Sequence, residues 1–262
     1  MTNTERNTKN QFKDYFSGNS NDYANYRPHY PEFLVNVLSS LAPDQNLVLD
    51  CGCGTGQLSV HLAGTFKNVI AIDASENQIL NAEPRQNIVY HVKPAEKTGL
   101  DNHSVDLITV AQAAHWLDLD SFYQEVQRIA KPKAILALIT YGVLFLKEES
   151  LNQVVQEFYY RTIYEFWPKE RKDVEDGYIN WNFPFDEIDF PKTNMNAVWN
   201  LFELLGYIKT WSAVKIAEKK LGYNPVDQLF DQLLPIWDEP YTTREIFWPL
   251  RGRLGRVIEH PQ

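Results

Sequence analysis

The chain has 262 residues, 44% hydrophobic and 23% charged, with a formal net charge of −9. The length suits one large α/β domain or a core with an added subdomain, and the composition excludes a disordered chain. The acidic balance argues against sequence-independent nucleic-acid binding, and no apolar run approaches the ~20 residues that span a bilayer.

Residues 1–45 are predicted to form a helical N-terminal cap. The opening MTNTERNTKNQ is polar and carries no apolar signal core, so a cytoplasmic protein is expected. Pro28 and Pro31 interrupt helix, and Pro31 suits a first helical position. From there Phe33, Leu34, Val37, Leu38 and Leu41 recur at helical spacing. Residues 46–142 then alternate: strands at 46–50, 68–72, 87–92, 105–111 and 133–141, with helices at 56–64, 75–82 and 119–130. Such alternation implies right-handed crossovers and a parallel sheet. The stretches 105–111 and 134–139 are near-continuous apolar runs, as strands covered on both faces are. Lys131-Pro132-Lys133 reads as the turn before the second of them.

After Tyr141 the rhythm changes. Residues 143–243 read as a helical lid that supplies the acceptor side. Helix is expected at 148–166, an irregular proline- and aromatic-rich stretch at 167–195, one or two helices at 194–221 broken near Gly206, and helix at 225–234. Residues 244–262 read as closing strands of the core sheet, 244–250 and 256–259, with Arg251-Gly252-Arg253 as a hairpin turn. All seven Trp lie at or after Trp116, which suggests either a lined pocket or plain core packing.

The chemistry concentrates in 47–82. An apolar run, Leu47 to Leu49, ends on Asp50 and enters Cys51-Gly52-Cys53-Gly54-Thr55-Gly56; a second strand ends on Asp73. Strand, glycine loop, helix, strand and terminal acid form a unit that binds a ribose-bearing ligand. A dinucleotide site wants G-x-G-x-x-G and welcomes a pyrophosphate at the loop. Here the spacing is G-x-G-x-G with an acid before it, which suits a cationic ligand without phosphate, such as S-adenosylmethionine (SAM). Cys51 and Cys53 are too close in a tight loop to pair readily, and without nearby Cys or His they make no zinc site, so no metal is expected.

Val48-Leu49-Asp50-Cys51-Gly52-Cys53-Gly54-Thr55-Gly56 resembles the first motif of class I SAM-dependent methyltransferases. The resemblance continues in Ala71-Ile72-Asp73-Ala74-Ser75, Ala95-Glu96, Asn102 to Ile108, and Ala111-Gln112-Ala113-Ala114-His115-Trp116. It implies a Rossmann-like α/β fold: a seven-stranded, mostly parallel sheet with a C-terminal antiparallel hairpin and a helical lid insertion. Tyr26-Arg27-Pro28-His29-Tyr30-Pro31, Phe183 to Ile188 and Thr210-Trp211-Ser212-Ala213 look like the narrower trans-aconitate methyltransferase-like (methyltransferase type 11) subgroup. Some of those enzymes esterify small carboxylic acids. The expected partner is thus a small-molecule acceptor, a carboxylate among the options, with no nucleic acid and a monomer or homodimer. SAM binding without transfer, or a phenolic, lipid-like or macromolecular acceptor, is the alternative.

Roles follow for individual residues. Gly52, Gly54 and Gly56 let backbone approach the methionyl part of SAM, Asp50 faces its α-ammonium, and Asp73 grips the ribose. Ala74 lies on the adenine side, and the family pattern puts Ala95 and Glu96 near the adenine amino group. Ala111 and Gln112 end the fourth strand, where open sheets bind ligands. Arg27 is a candidate for the methionyl carboxylate and Tyr26 for a ring face over the sulfonium. His115 is the candidate general base or acceptor contact. Trp116, Tyr141, Tyr178, Trp181, Trp211 and Arg161 are further candidates for the acceptor pocket.

Overall fold

The structure, a computed structural model, describes residues 28–258. Tyr26 and Arg27 lie outside the described residues. Helix α1 (Glu32–Leu41) buries Leu34, Val35 and Leu38. The alternating unit comes next, as expected: β1 (Leu47–Cys51), α2 (Ser59–Leu62), β2 (Asn68–Asp73), α3 (Glu76–Leu80), β3 (Ile88–Val92), β4 (Val105–Ala111), α4 (Leu119–Ile129) and β5 (Ala130–Tyr141). The helix after the glycine loop is shorter than its apolar spacing implied, because residues 54–58 form turns around the loop.

Strand β1 pairs in parallel with β2 and β4, β2 with β3, and β4 with β5. The chain crosses between them on both faces. Val48, Val69 and Leu107 pack with Leu34, Leu38 and Leu62 on one side. Leu49, Ile72, Ile108 and Val110 pack with Phe122, Val126 and Ile129 of α4 on the other. The apolar runs of β1 and β4 arise because both sheet faces are covered.

The expected turn at 131–133 is instead a bulge inside β5. Val105 faces Ala130 while Leu107 faces Ile135, so extra residues loop out of the ladder. Lys133 takes φ 67°, and Lys131 Nζ donates to the buried Asp106 at 2.7 Å. That ion pair holds the bulge where Lys-Pro-Lys read as a turn.

Past β5 come β6 (Phe145–Leu146), α5 (Glu149–Glu157), a π-helical turn at Phe158–Ile163, α6 (Arg171–Glu175), β7 (Asp186–Ile188), β8 (Asn194–Trp199), α7 (Leu201–Lys209), α8 (Ser212–Leu221), α9 (Pro225–Trp237) and β9 (Arg244–Arg256). The nine-stranded sheet runs β3-β2-β1-β4-β5-β9-β6, with β7 and β8 also on β9. Two expectations fail here. Residues 194–199 are strand rather than helix; Met195 is buried between exposed Asn194 and Asn196, a period-two pattern. The helices after β8 break at Thr210–Trp211, not at Gly206, which lies inside α7. Asn200 starts α7 with a capping box to Glu203.

The C-terminal strands are also different from the reading. Residues 251–253 do not turn, and β9 is one continuous strand antiparallel to β5. Gly252 is there for another reason: a Cβ would lie 1.9 Å from the Leu138 carbonyl oxygen. The antiparallel pairing at this end runs β5-β9-β8, with α7, α8 and α9 between β8 and β9 in the chain. No helix among the described residues is long and apolar enough to cross a membrane.

Candidate active site

The carboxyl edge of β1 carries Asp50, only 1% exposed. Its carboxylate accepts from Ser59 Oγ at 2.6 Å and from Thr109 Oγ1 at 2.8 Å. Burial pushes its pKa up to about 6; the two hydroxyls oppose the shift and the charge of Asp73 adds to it. The loop after β1 holds Gly52, Gly54 and Gly56 at φ 62°, 56° and 86°. Space also demands glycine: a Cβ on Gly52 would sit 2.4 Å from Ala113 Cβ, and one on Gly56 2.2 Å from Tyr90 Oη. Cys51 and Cys53 are free and buried, and burial pushes both thiols up, so neither is activated.

Asp73 ties the end of β2 to its surroundings. It accepts from the Gly54 N–H at 2.8 Å and from the Ser75 N–H at 2.8 Å. Ser75 Oγ in turn caps α3 by accepting from Gln78 N–H. Glu96 accepts from the Asp118 N–H at 2.9 Å, so it caps a loop as well as facing the cleft.

These groups surround a cavity of about 210 Å³ lined by Asp50, Gly52, Gly54, Asp73, Ala74, Ala95, Glu96, Ala111 and Gln112. Gly56 does not line it; it packs under the loop against Tyr90. Tyr30, Gln78 and Lys93 also line the cavity and were not anticipated. The side-chain oxygen of Gln78 is buried there without a hydrogen-bond partner among the described residues.

A second chamber of about 130 Å³ adjoins the first, and Gln112 and Trp116 line both. Gln112 takes φ 56°, a left-handed conformation uncommon for a residue with a side chain. Its amide donates to the Tyr141 carbonyl at 2.8 Å, which fixes the boundary between the two spaces. His115, Trp116, Tyr141 and Trp211 line the chamber as anticipated. Tyr178 and Trp181 do not line it. Tyr178 is fully buried behind His115, its hydroxyl 3.1 Å from Nδ1, and Trp181 stacks on Tyr178 at 4.2 Å. Their geometry is that of a support for the imidazole. Burial and then the charge of Arg171 hold His115 down at about 4, so the ring is neutral at physiological pH.

The sequence offered Arg161 as the basic group of this pocket, but Arg161 does not line the chamber and Arg171, which sequence reading missed, does. Arg171 lines it from α6. Its Nε donates to Tyr159 Oη at 2.6 Å and to Glu175 Oε1 at 3.2 Å. Tyr159 itself donates to Glu175. Burial disfavours the charge, but Tyr159 and Glu175 outweigh it and keep the guanidinium protonated. The Trp167 ring covers its plane at 4.5 Å. The terminal nitrogens make no hydrogen bond to any described residue, so the outer fork is left for something in the chamber. Nothing in local spacing marked Arg171; its one signal was a basic residue within the aromatic stretch 158–181.

The geometry can be set beside known proteins. The Methyltransferase domain family (type 11) matches residues 49–138, the span from β1 through most of β5. A Dictyostelium discoideum protein provisionally named a methyltransferase is 37% identical over 208 residues, 78% of this chain and 79% of that one. The chain belongs to the class I SAM-dependent methyltransferases. A provisionally named type II methyltransferase from Anaeromyxobacter dehalogenans matches this methyltransferase in structure with a TM-score of 0.86 and 39% identity, over 90% of this chain and 100% of that one. The malonyl-[acyl-carrier protein] O-methyltransferase of Methylovorus is 32% identical over 124 residues, and the match spans 41% of its length. The likeness to the Dictyostelium and Anaeromyxobacter proteins includes the segment after Tyr141, and the family match does not.

Proposed function

We propose that this methyltransferase binds SAM in the glycine-loop cavity and transfers its methyl group to the carboxylate of a small acid held in the adjoining chamber. The observation that carries the acceptor reading is the Arg171 fork, set among Trp116, Tyr141, Trp167, Tyr207 and Trp211 in the chamber wall. Guanidinium matches carboxylate in charge and shape. The cleft fits SAM in its own right: Asp50 repels a pyrophosphate and suits an ammonium, Asp73 stands where ribose hydroxyls are gripped, and Gln78 supplies a buried, unpartnered acceptor.

When bound, SAM supplies an electrophilic methyl carbon on a sulfonium. The residues of the chain do the rest. Asp50 and Ala111 orient the methionyl end, and Arg171 and Gln112 fix the acceptor against the boundary. An acceptor oxygen forms the new bond with a lone pair while the carbon–sulfur pair returns to sulfur. Cation and anion become neutral thioether and neutral ester, and no proton moves. A neutral His115 suits this chemistry as a hydrogen-bonding wall, since a base held at about 4 is a poor proton acceptor at neutral pH. Alignment of this kind supplies roughly 7–11 kcal/mol. In this reading residues 46–142 hold the donor and 143–243 select the acceptor.

The test is a panel of small acids, phenols and amines incubated with SAM, with S-adenosylhomocysteine and methylated product measured by mass spectrometry. Esters should form from acids. Arg171→Gln should lower kcat/KM for them by roughly two orders of magnitude, the worth of a charge-assisted fork, and leave SAM affinity unchanged. Methylation of phenols or amines with acids inert would overturn the acceptor reading. SAM binding without turnover across the panel would favour a binding protein.

A further inference from the structure

We infer that the acceptor is a monocarboxylic acid with an apolar body the size of a single ring, and that the chamber rejects di- and tricarboxylates. This selectivity rests on the proposed carboxylate acceptor and narrows it.

Charge carries it first. Arg171 and Glu170 are the formally charged residues among those described that line the chamber. Glu175 already offsets part of the Arg171 charge from behind, through Nε at 3.2 Å. One carboxylate fills the outer fork. A second one would meet no second cation among the described residues. Beyond indole and phenol rings, a neutral imidazole and the Glu170 carboxylate, it would find only neutral donors: Gln112, Thr210, Ser212 and the Trp167 indole N–H, which has no partner among those residues. Burying an ion without a partner is among the costliest things a binding site can do, and a like charge nearby adds to the cost.

Shape and volume point the same way. Trp167 and Trp211 stand with ring centroids 6.0 Å apart and planes at 47°. They form an apolar corner beside the fork. The chamber, about 130 Å³, is close to the ~150 Å³ of an apolar cavity that takes benzene. It suits a ring or a short chain better than a branched polyacid. The chemistry also clears the site. The single negative charge disappears on methylation, so the ester loses its charge-assisted hold on Arg171 and leaves.

The experiment uses the full chain loaded with S-adenosylhomocysteine and measures acid binding by calorimetry. The probes are benzoate against terephthalate, hexanoate against adipate, and trans-aconitate. The expected result is that each monoacid binds roughly 100-fold more tightly than its matched diacid, with trans-aconitate weakest. Methyl benzoate should bind at least roughly tenfold more weakly than benzoate, because it lacks the charge. Glu170→Gln, a change at the exposed rim, should narrow the monoacid–diacid gap several-fold. A diacid or trans-aconitate that binds as well as the matched monoacid would overturn the selectivity and leave the carboxylate reading standing. So would a gap that Glu170→Gln does not change. Failure of every acid to bind, with phenols or amines methylated in the turnover panel, would sink both.

Discussion

Asp50 gives the sharpest quantitative test, because fold and function want opposite things from it. Its pKa is raised from an ordinary 3.8 to about 6, chiefly by burial. The folded chain therefore holds this proton more tightly than the unfolded chain. Stability is largest below about pH 4, falls as pH rises through the window from 3.8 to about 6, and carries the full penalty at neutral pH. That interval corresponds to about 3 kcal/mol. Asp50→Asn removes the penalty and keeps the size. Its amide oxygen still accepts from Thr109, while the Ser59 hydroxyl must turn to accept from the amide nitrogen, at a cost of roughly 1 kcal/mol. The variant should thus be about 2 kcal/mol more stable at pH 7.5, a rise of roughly 4–8 °C in Tm, with the gain absent at pH 4. Urea unfolding of both proteins across this pH range measures it. If Asp50 faces the SAM α-ammonium as proposed, SAM affinity should move the other way, by roughly 10–100-fold, because the charged partner is lost. A variant less stable than the parent at pH 7.5, parallel pH curves for the two proteins, or unchanged SAM affinity would each refute the reasoning.

Neighbouring geometry sets other outcomes. Because burial keeps His115 at about 4, kcat/KM should show no titration of this group between pH 6 and 8; an activity step near 6.5 that vanishes in His115→Asn would contradict a neutral wall. Gly56→Ala meets both a left-handed φ and the Tyr90 hydroxyl, and should destabilise by at least about 2 kcal/mol. Adding Tyr90→Ala should recover the steric share but not the ~1–2 kcal/mol of backbone cost, and a double-mutant cycle separates the two.

Residues 46–142 were largely readable. Leu47 to Asp73 carries its own periodicity, glycines at fixed spacing and acids at strand ends, all local signals that the fold keeps. Residues 143–243 were not, and for physical reasons. Arg171 becomes a chamber group only because α6 packs back against the end of β5, where Thr140 Oγ1 donates to the Val174 carbonyl, a contact that no spacing encodes. Tyr178 looked like a pocket aromatic, yet its ring is spent behind His115. Arg251-Gly252-Arg253 has the composition of a turn, but its glycine answers to the Leu138 carbonyl across the ladder. Residues 194–199 could have been read as strand from the alternation about Met195; the helix propensity of residues 201–209 hid it.

The single strand β9 has a further implication. Its C-terminal half pairs with β5 at the end of the parallel sheet, and its N-terminal half pairs with β6 and β8 of the segment 143–243. A segment hung on two flexible connections could swing open as a body. One riveted along a shared strand cannot, so traffic into the chamber falls to side chains at its mouth. The same rivet separates two kinds of change. On the proposed function, substitutions in the short α6 and its flanking turns should retune which molecule is accepted and leave residues 46–142 undisturbed, which would make this architecture easy to redirect toward new chemistry.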